Sequence, residues 1–166
     1  DMIRNGQYNT AIADRLHRWT LAVMRAAGTP AELPHVLLTE LRHQFMIPQA
    51  SLRLWGVAPE HEALEFAASV STDVRSFASS LSQPYCGVNS GFEAARWLGL
   101  SESGGTATSL ALLPLHQPGV DGDKPFGLLV LGSPDPTRYT AEMGTDFLTR
   151  VGEIASAGLA GLLAHA

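Results

Sequence analysis

The chain has 166 residues, of which 45% are hydrophobic and 16% charged, and its formal net charge is −5. This length suits one domain with helical extensions, and the acidic balance argues against a nucleic-acid surface, which needs a basic stripe. The single cysteine, Cys86, excludes an intrachain disulfide and any multi-cysteine metal site. No signal peptide or membrane-spanning tract is visible, so we expect a reducing, cytoplasmic location and no contact with a membrane.

The first third of the chain predicts two helices and a strand. Apolar residues recur at steps of three and four over residues 7–27, and Gly28 ends that helix. The same spacing predicts a second helix over 31–45, and alternation over 51–56 predicts a strand. After a polar turn, residues 64–68 are a candidate hairpin partner of that strand.

The middle of the chain predicts a lid, a term that we use for residues 71–105. A short helix is expected over 71–81, with Ser71 or Thr72 as its N-cap. Residues 83–90 contain proline, glycine and asparagine and are expected to be irregular. Another short helix is expected over 92–98.

Two apolar segments, 108–115 and 126–133, predict strands that are covered on both faces and therefore central in a sheet. The polar loop 119–124 between them suggests an antiparallel hairpin. A closing helix follows, with Thr140 as its expected N-cap and Glu142 in its first turn.

These elements predict an α+β fold, with a central antiparallel sheet, N- and C-terminal helices on one face and the irregular lid on the other. PAS- and GAF-type sensor domains are built in this way, and the space between sheet and lid is their pocket. We divide the chain into an N-terminal helix over 1–28, the end of a longer helical segment for dimerisation or linkage, and a GAF-like domain over 29–166.

Several short motifs follow one another along the chain: Pro84-Tyr85-Cys86-Gly87, Leu112-Leu113-Pro114-Leu115, Gly127 to Ser133 followed by Asp135 and Arg138, and Met143 to Leu148. In this order and spacing they resemble a bacterial GAF-like family, domain of unknown function number four hundred and eighty-four. The resemblance extends over roughly residues 10–165 and implies a GAF-like (PAS/profilin-like) fold. The family has no assigned reaction, so the resemblance implies no activity.

Cys86 is the one candidate nucleophile. A thiol in a loop over the sheet could act as a redox sensor, attach a bilin or serve a sulfoxide reductase. A reactive thiol needs a cation or a helix N-terminus to lower its pKa, and neither is adjacent in sequence. GAF-type sulfoxide reductases use several cysteines, and bilin attachment is often marked by a Cys-His pair, where this chain has Gly87. We therefore expect Cys86 to be a small, partly buried apolar residue.

Arg53 lies between Leu52 and Leu54 in the first strand, so its side chain points to the opposite face. If the leucines face the helices, Arg53 faces the lid, where an arginine can hold a carboxylate or phosphate. An exposed residue or a structural ion pair is an equal alternative. The candidate ligand-binding residues are Arg53, Trp55, Tyr85, Cys86, Ser109, Leu113, Leu129 and Ser133.

Other residues are assigned structural roles or none. Asp135 can accept a hydrogen bond from an amide two residues on, and with Arg138 is expected to hold the turn over 133–139. The six histidines are scattered, and neither HExxH nor Gly-x-Ser-x-Gly occurs. We expect no catalytic residue, no metal and no cofactor.

The last helix contains a run of small residues that includes Gly158 and Gly161. Each glycine costs about 1 kcal/mol of helix propensity relative to alanine, so close packing must offset the loss. That packing is onto the sheet, or at a homodimer interface shared with Trp19 and Val23 of the first helix, or both.

Three functions remain open. The first is a non-catalytic sensory domain that binds a small molecule between sheet and lid and signals through helical dimer contacts. The second is a ligand-free protein-interaction scaffold whose lid side is filled by bulky side chains. The third is a redox sensor or enzyme based on Cys86.

Overall fold

The computed structural model describes residues 2–99, 101, 104–117, 124–139 and 146–163, with the backbone alone over residues 2–10. Within these residues the helices are α1 (Met2–Ala26), α2 (Leu33–Phe45), α3 (Thr72–Ser80) and α4 (Asp146–Leu159). The strands are β1 (Gln49–Leu54), β2 (Tyr85–Val88), β3 (Ser109–Leu115) and β4 (Gly127–Ser133). The predicted α+β class and the terminal helices are confirmed.

The strands form one antiparallel sheet in the order β1-β4-β3-β2. The central pair, β3 and β4, is the predicted hairpin, with Leu112 opposite Val130. Every residue of β4 is buried, as is every residue of β3 except the half-buried Pro114. These two strands are covered on both faces, as their continuous apolar sequences predict.

The hairpin partner predicted for β1 is wrong. Residues 64–68 contain a short 3₁₀ helix, Glu65–Ala67, which lies beside β1 without pairing with it. Alanine and glutamate, which are depleted in strands, make up most of this segment. Thus β1 is an edge strand.

The irregular segment predicted over 83–90 instead contains β2, which pairs with β3 so that Tyr85 lies opposite Leu112. Pro84 precedes the strand and removes none of its hydrogen bonds. Gly87 is needed because the Tyr85 side chain folds back along its own strand. A Cβ at position 87 would lie 2.6 Å from the Tyr85 hydroxyl oxygen.

Helices α1, α2 and α4 cover one face of the sheet, which we call the helical face. Strand alternation directs every second side chain to this side, including Leu52, Leu113 and Leu129. Trp19 of α1 is fully buried in this cluster, and its indole Nε1 donates a 3.0 Å hydrogen bond to the carbonyl oxygen of Leu37.

The lid covers the opposite face, with α3 and a 3₁₀ helix, Glu93–Trp97, on either side of β2. Ser71 is the N-cap of α3, since its hydroxyl accepts a 3.1 Å hydrogen bond from the amide of Val74. This confirms one of the two predicted caps. The predictions made for residues 119–123, Thr140 and Glu142 lie outside the described residues.

Candidate functional site

The predicted ligand-binding residues lie on both faces of the sheet and do not form one site. Trp55 and Tyr85 pack on the lid side, and the guanidinium of Arg53 lies over the ring of Trp97 on the same side. Cys86, Leu113 and Leu129 are on the helical face. Neighbouring residues of a strand point in opposite directions, so Tyr85 and Cys86 cannot both face the lid.

Ser109 and Ser133 lie opposite each other at the ends of β3 and β4. The Ser109 hydroxyl donates a 2.7 Å hydrogen bond to the carbonyl oxygen of Asp135, and the Ser133 hydroxyl accepts one of 3.1 Å from the Asp135 amide. Both serines are buried. Their hydroxyls therefore shape the turn that follows β4. Whether any of the eight residues contacts a ligand stays a prediction.

That turn is held in the way expected for Asp135 and in a different way for Arg138. The Asp135 carboxylate accepts a 2.8 Å hydrogen bond from the Thr137 amide, and this bond lowers the pKa of Asp135. Arg138 instead donates hydrogen bonds to the carbonyl oxygens of Phe45, at 2.9 Å, and Met46, at 3.3 Å. These carbonyls end α2, where a cation is favourable. Arg138 thus ties the turn to the helical layer.

Between sheet and lid, the buried side chains form what we call the lid layer. On the sheet side, Leu110, Leu112, Leu128 and Val130 are all fully buried. The lid contributes the buried residues Val74, Ala78, Ala94 and Leu98.

Aromatic side chains also pack in the lid layer. The rings of Phe77 and Phe92 have their centroids 5.3 Å apart, and the Tyr85 ring meets Phe92 edge-on at 5.2 Å. Trp55 and Trp97 pack against the same cluster. Sequence reasoning missed the roles of Phe77, Phe92 and Trp97. These large apolar side chains lie in or next to the two short helices of the lid, and that is the signal that could have identified them.

Arginines cover the two tryptophans from outside. The Arg53 guanidinium carbon lies 5.5 Å from the ring centroid of Trp97, and that of Arg75 lies 5.7 Å from the ring of Trp55. The prediction that Arg53 and Trp55 share the lid side agrees with this geometry. Each contact is a cation–π pair at a partly exposed position, for which stabilisation is about 0.5–1 kcal/mol.

Cys86 is buried in the helical face, with 6% of its surface exposed. Burial raises the pKa of its thiol above the usual value. A thiolate is the nucleophilic form, so this environment opposes the reactivity that a redox sensor or cysteine enzyme needs. Among the described residues, no group of three or more His, Cys, Asp or Glu side chains could hold a metal ion.

Open grooves lie on the surface of the described residues, and lid residues are part of their lining, including Ser82 to Pro84 in the first and Trp97 in the second. One, of about 450 Å³, lies between α4 and the end of β3 and has Leu113 and Gly152 in its lining. We call it the α4 groove. Another, of about 360 Å³, runs beside β1 and includes Arg53 and Trp97. We call it the β1-edge groove.

The fold is similar to that of solved GAF domains. The GAF domain of a protein assigned as a sensor histidine kinase from Pseudomonas syringae pv. tomato superimposes with a TM-score of 0.59 at 17% identity, covering 97% of this chain and 93% of that one.

Two other GAF domains come from phosphoenolpyruvate-protein phosphotransferases. The Coxiella burnetii domain (ptsP) has a TM-score of 0.59 and 14% identity over 92% of this chain and 94% of that one. The Acinetobacter domain has a TM-score of 0.52 and 14% identity over 90% and 92%. At these identities the likeness establishes the fold, which is that of a GAF domain.

The chain belongs to the family described as "Protein of unknown function, DUF484", whose model matches residues 2–160. This confirms the resemblance seen in its motifs. No curated protein sequence matches it. In the described part of the chain, no helix is both long and apolar enough to cross a membrane.

Proposed function

We propose that this protein is a non-catalytic, GAF-type interaction module that pairs with a second copy through α1 and does not hold a small molecule between sheet and lid. The filled lid layer is the observation that carries the proposal. A ligand pocket of ordinary size is a cleft of about 300–1,000 Å³. Here the sheet residues that would form its floor, such as Leu112 and Val130, are fully buried by protein side chains.

The length of α1 and the burial of its residues support the proposed pairing. Its 25 residues extend for about 37 Å, whereas the 13 residues of α2 extend for about 20 Å. From residue 11 onward, the first buried side chain is that of Trp19. An isolated helix of fewer than about 12–15 residues is only marginally stable in water, so the first half of α1 is expected to need a partner helix.

Two residues predicted for the dimer, Trp19 and Val23, have their side chains packed within the subunit, against the other helices. A Cβ at Gly158 would lie 2.9 Å from a methyl carbon of Val23, so this glycine serves the contact between α1 and α4. A homodimer through α1 would therefore use the part of the helix that precedes Trp19, in which Ile12 is a partly buried apolar residue.

Small-molecule binding is a second candidate, favoured by the α4 groove. Its volume of about 450 Å³ falls in the range of ligand sites, and the polar side chains of Thr149 and Glu153 are among its lining residues. A ligand held there would touch α4 directly and would not enter the lid layer.

Sedimentation equilibrium of the full chain tests the pairing. We expect a dimer that Ile12→Asp weakens at least tenfold, because a charge would be placed in the helix contact. Met24→Asp is the matched control, since it adds the same charge at a side chain that is 66% exposed on the packed half of α1. A monomeric wild-type chain, or a dimer lost with Met24→Asp and kept with Ile12→Asp, contradicts the proposal.

Native mass spectrometry tests the second part of the proposal, namely that no small molecule is held between sheet and lid. Protein purified from bacterial cytosol should have the mass of the polypeptide alone. Gly152→Leu narrows the α4 groove. A bound small molecule that persists in this variant would lie outside that groove, and a pocket between sheet and lid would then be the better explanation. A bound molecule lost in that variant would support the second candidate.

A further inference from the structure

We propose that the β1-edge groove binds a small organic acid that has one carboxylate and one apolar or aromatic group. The side chain of Arg53 would hold the carboxylate, and half-buried apolar side chains of the groove would contact the rest of the molecule. No described residue of α1 lines this groove. The site therefore goes beyond the pairing proposed above and is tested independently of it.

Arg53 has hydrogen-bond donors that the protein does not use. It is half-buried, and its guanidinium carbon lies 5.5 Å from the centroid of the Trp97 ring. Stacking occupies the flat face of a guanidinium, whereas its N–H groups lie in the plane and remain available. In the part of the chain that the structure describes, Arg53 makes no hydrogen bond and no ion pair. An aromatic ring thus positions this cation, and an anionic partner is missing.

Ser51 supplies a second donor to the same groove. It lies two residues before Arg53 in β1, so the two side chains share a face of the strand and their Cα atoms are about 7 Å apart. Among the described residues, the Ser51 hydroxyl has no hydrogen-bond partner either. A carboxylate bound by the long side chain of Arg53 can therefore accept a second hydrogen bond from Ser51.

The charges around the groove favour a ligand with a single negative charge. Of the described lining residues, Arg53 is the one arginine or lysine and Glu65 is the one carboxylate, and His35 adds an exposed imidazole. Glu65 is exposed and is not paired with Arg53. Its charge would repel a second negative charge on the ligand, and the net charge of −5 acts in the same direction. A monocarboxylate is therefore preferred to a phosphate or a dicarboxylate.

The remaining lining suits an apolar group. It includes the half-buried side chains of Leu38, Leu64 and Phe66. The volume of about 360 Å³ is near the lower end of the range for ligand sites, which is about 300–1,000 Å³. The backbone of β1 offers no further strand pairing, since Leu52 and Leu54 are only 2% and 1% exposed. These features favour a small free acid over an extended peptide.

Titration of the isotope-labelled full chain with phenylacetate at pH 7.5, followed by NMR, tests the site. The groove is open to solvent, so its ligand is expected to dissociate during purification and must be added. The chain has three tryptophans, and we expect the indole signal of Trp97 to shift until it saturates. The indole N–H groups of Trp19 and Trp55 donate to the carbonyl oxygens of Leu37 and Pro125, and their signals should stay in place.

Two other probes isolate the role of the charge. Phenylacetamide has the same ring without the negative charge, and inorganic phosphate carries mostly two negative charges at this pH. Each should bind at least tenfold more weakly than phenylacetate. Equal binding of phenylacetamide contradicts the role of Arg53, and tighter binding of phosphate contradicts the preference for a monocarboxylate.

Three variants locate the site. Arg53→Gln should weaken phenylacetate binding at least tenfold, because charge-assisted hydrogen bonds are lost. Glu65→Gln should strengthen it, because a like charge is removed. Arg75→Gln is the matched control, since Arg75 also stacks on a tryptophan but does not line the groove, and it should change the affinity less than twofold. Absence of phenylacetate binding overturns the proposal, as does binding that Arg53→Gln leaves intact or that Arg75→Gln weakens equally.

Discussion

Replacing Leu112 by alanine measures whether the space between sheet and lid is filled. Leu112 and its neighbour Leu113 are both fully buried in β3, but Leu112 faces the lid and Leu113 faces the helices. Leu113→Ala is therefore a matched control in the same strand, with the same atoms removed and the same initial burial. The two substitutions differ only in which layer they perturb.

The expected cost follows from this burial. Leucine-to-alanine changes in well-packed cores destabilise proteins by about 2–5 kcal/mol, through lost transfer free energy and the cavity that remains. We expect about 3 kcal/mol for each variant, and a difference between them of less than about 1 kcal/mol. For a chain of this length, about 3 kcal/mol lowers Tm by roughly 6–12 °C.

Urea unfolding followed by circular dichroism gives the free energy of unfolding, and equal m-values would show that the unfolded states are comparable. A Leu112→Ala cost below about 1 kcal/mol, beside a Leu113→Ala cost near 3 kcal/mol, would refute the reasoning. That result would mean that Leu112 borders open space, and small-molecule binding under the lid would become the better proposal.

Three other outcomes are expected. Arg138→Met should cost about 1–2 kcal/mol in urea unfolding, because two charge-assisted hydrogen bonds to the end of α2 are lost, while the exposed Arg150→Met costs less than about 0.5 kcal/mol. Burial raises the pKa of Tyr139 from 10.0 to about 12, so the folded protein keeps a proton that the unfolded chain releases. Stability should therefore fall as the pH rises from 10 towards 12, and Tyr139→Phe should remove part of that fall, measured as the urea midpoint against pH. Cys86 should react with iodoacetamide at pH 7.5 at least 100-fold more slowly in the native protein than in urea, because its thiol is buried with a raised pKa; fast native labelling would favour the redox sensor.

The elements that could be predicted from sequence have local causes. The segment 108–115 is apolar nearly throughout, and it forms the central strand β3. Ser71 has the side chain that an N-cap needs, and it caps α3. Each depends on residues adjacent in the chain, so no knowledge of distant contacts was required.

The elements that were missed depend on distant contacts. Pro84 and Gly87 predict irregular structure locally, but pairing with β3 makes a strand of the segment between them. Conversely, apolar and polar residues alternate weakly over residues 64–68, yet no strand forms there. The reason is that alanine and glutamate gain little from a pleated, half-buried surface.

In the candidate site too, local features could be predicted from the sequence and features that depend on distant contacts could not. Alternation correctly placed Arg53 and Trp55 on the lid side, since both follow from Leu52 and Leu54 facing the helices. Leu113 could not be assigned to a face without knowing where β3 lies in the sheet. The filling of the lid layer depends on how Phe77 and Phe92 meet Tyr85, and these contacts bring together three separate segments.

The two edges of the sheet are protected in different ways. Proteins usually protect exposed strand edges with short strands, proline or bonds that occupy the backbone. At one edge, β2 has only four residues, so part of β3 extends beyond it. In that part of β3, Pro114 has no N–H to donate. Just after β3, the His116 amide already donates a hydrogen bond to the hydroxyl of Ser156. That edge is protected against strand addition.

The β1 edge is protected in another way, because the 3₁₀ helix Glu65–Ala67 lies beside the strand and Leu52 and Leu54 are only 2% and 1% exposed. The strand has six residues and contains no proline, and its outward-pointing residues Ala50 and Leu52 line a groove. Among the described residues, the short edge strand β2 is thus protected by its length and the longer β1 by neighbouring segments of its own chain, so neither edge is left as a free template for another strand.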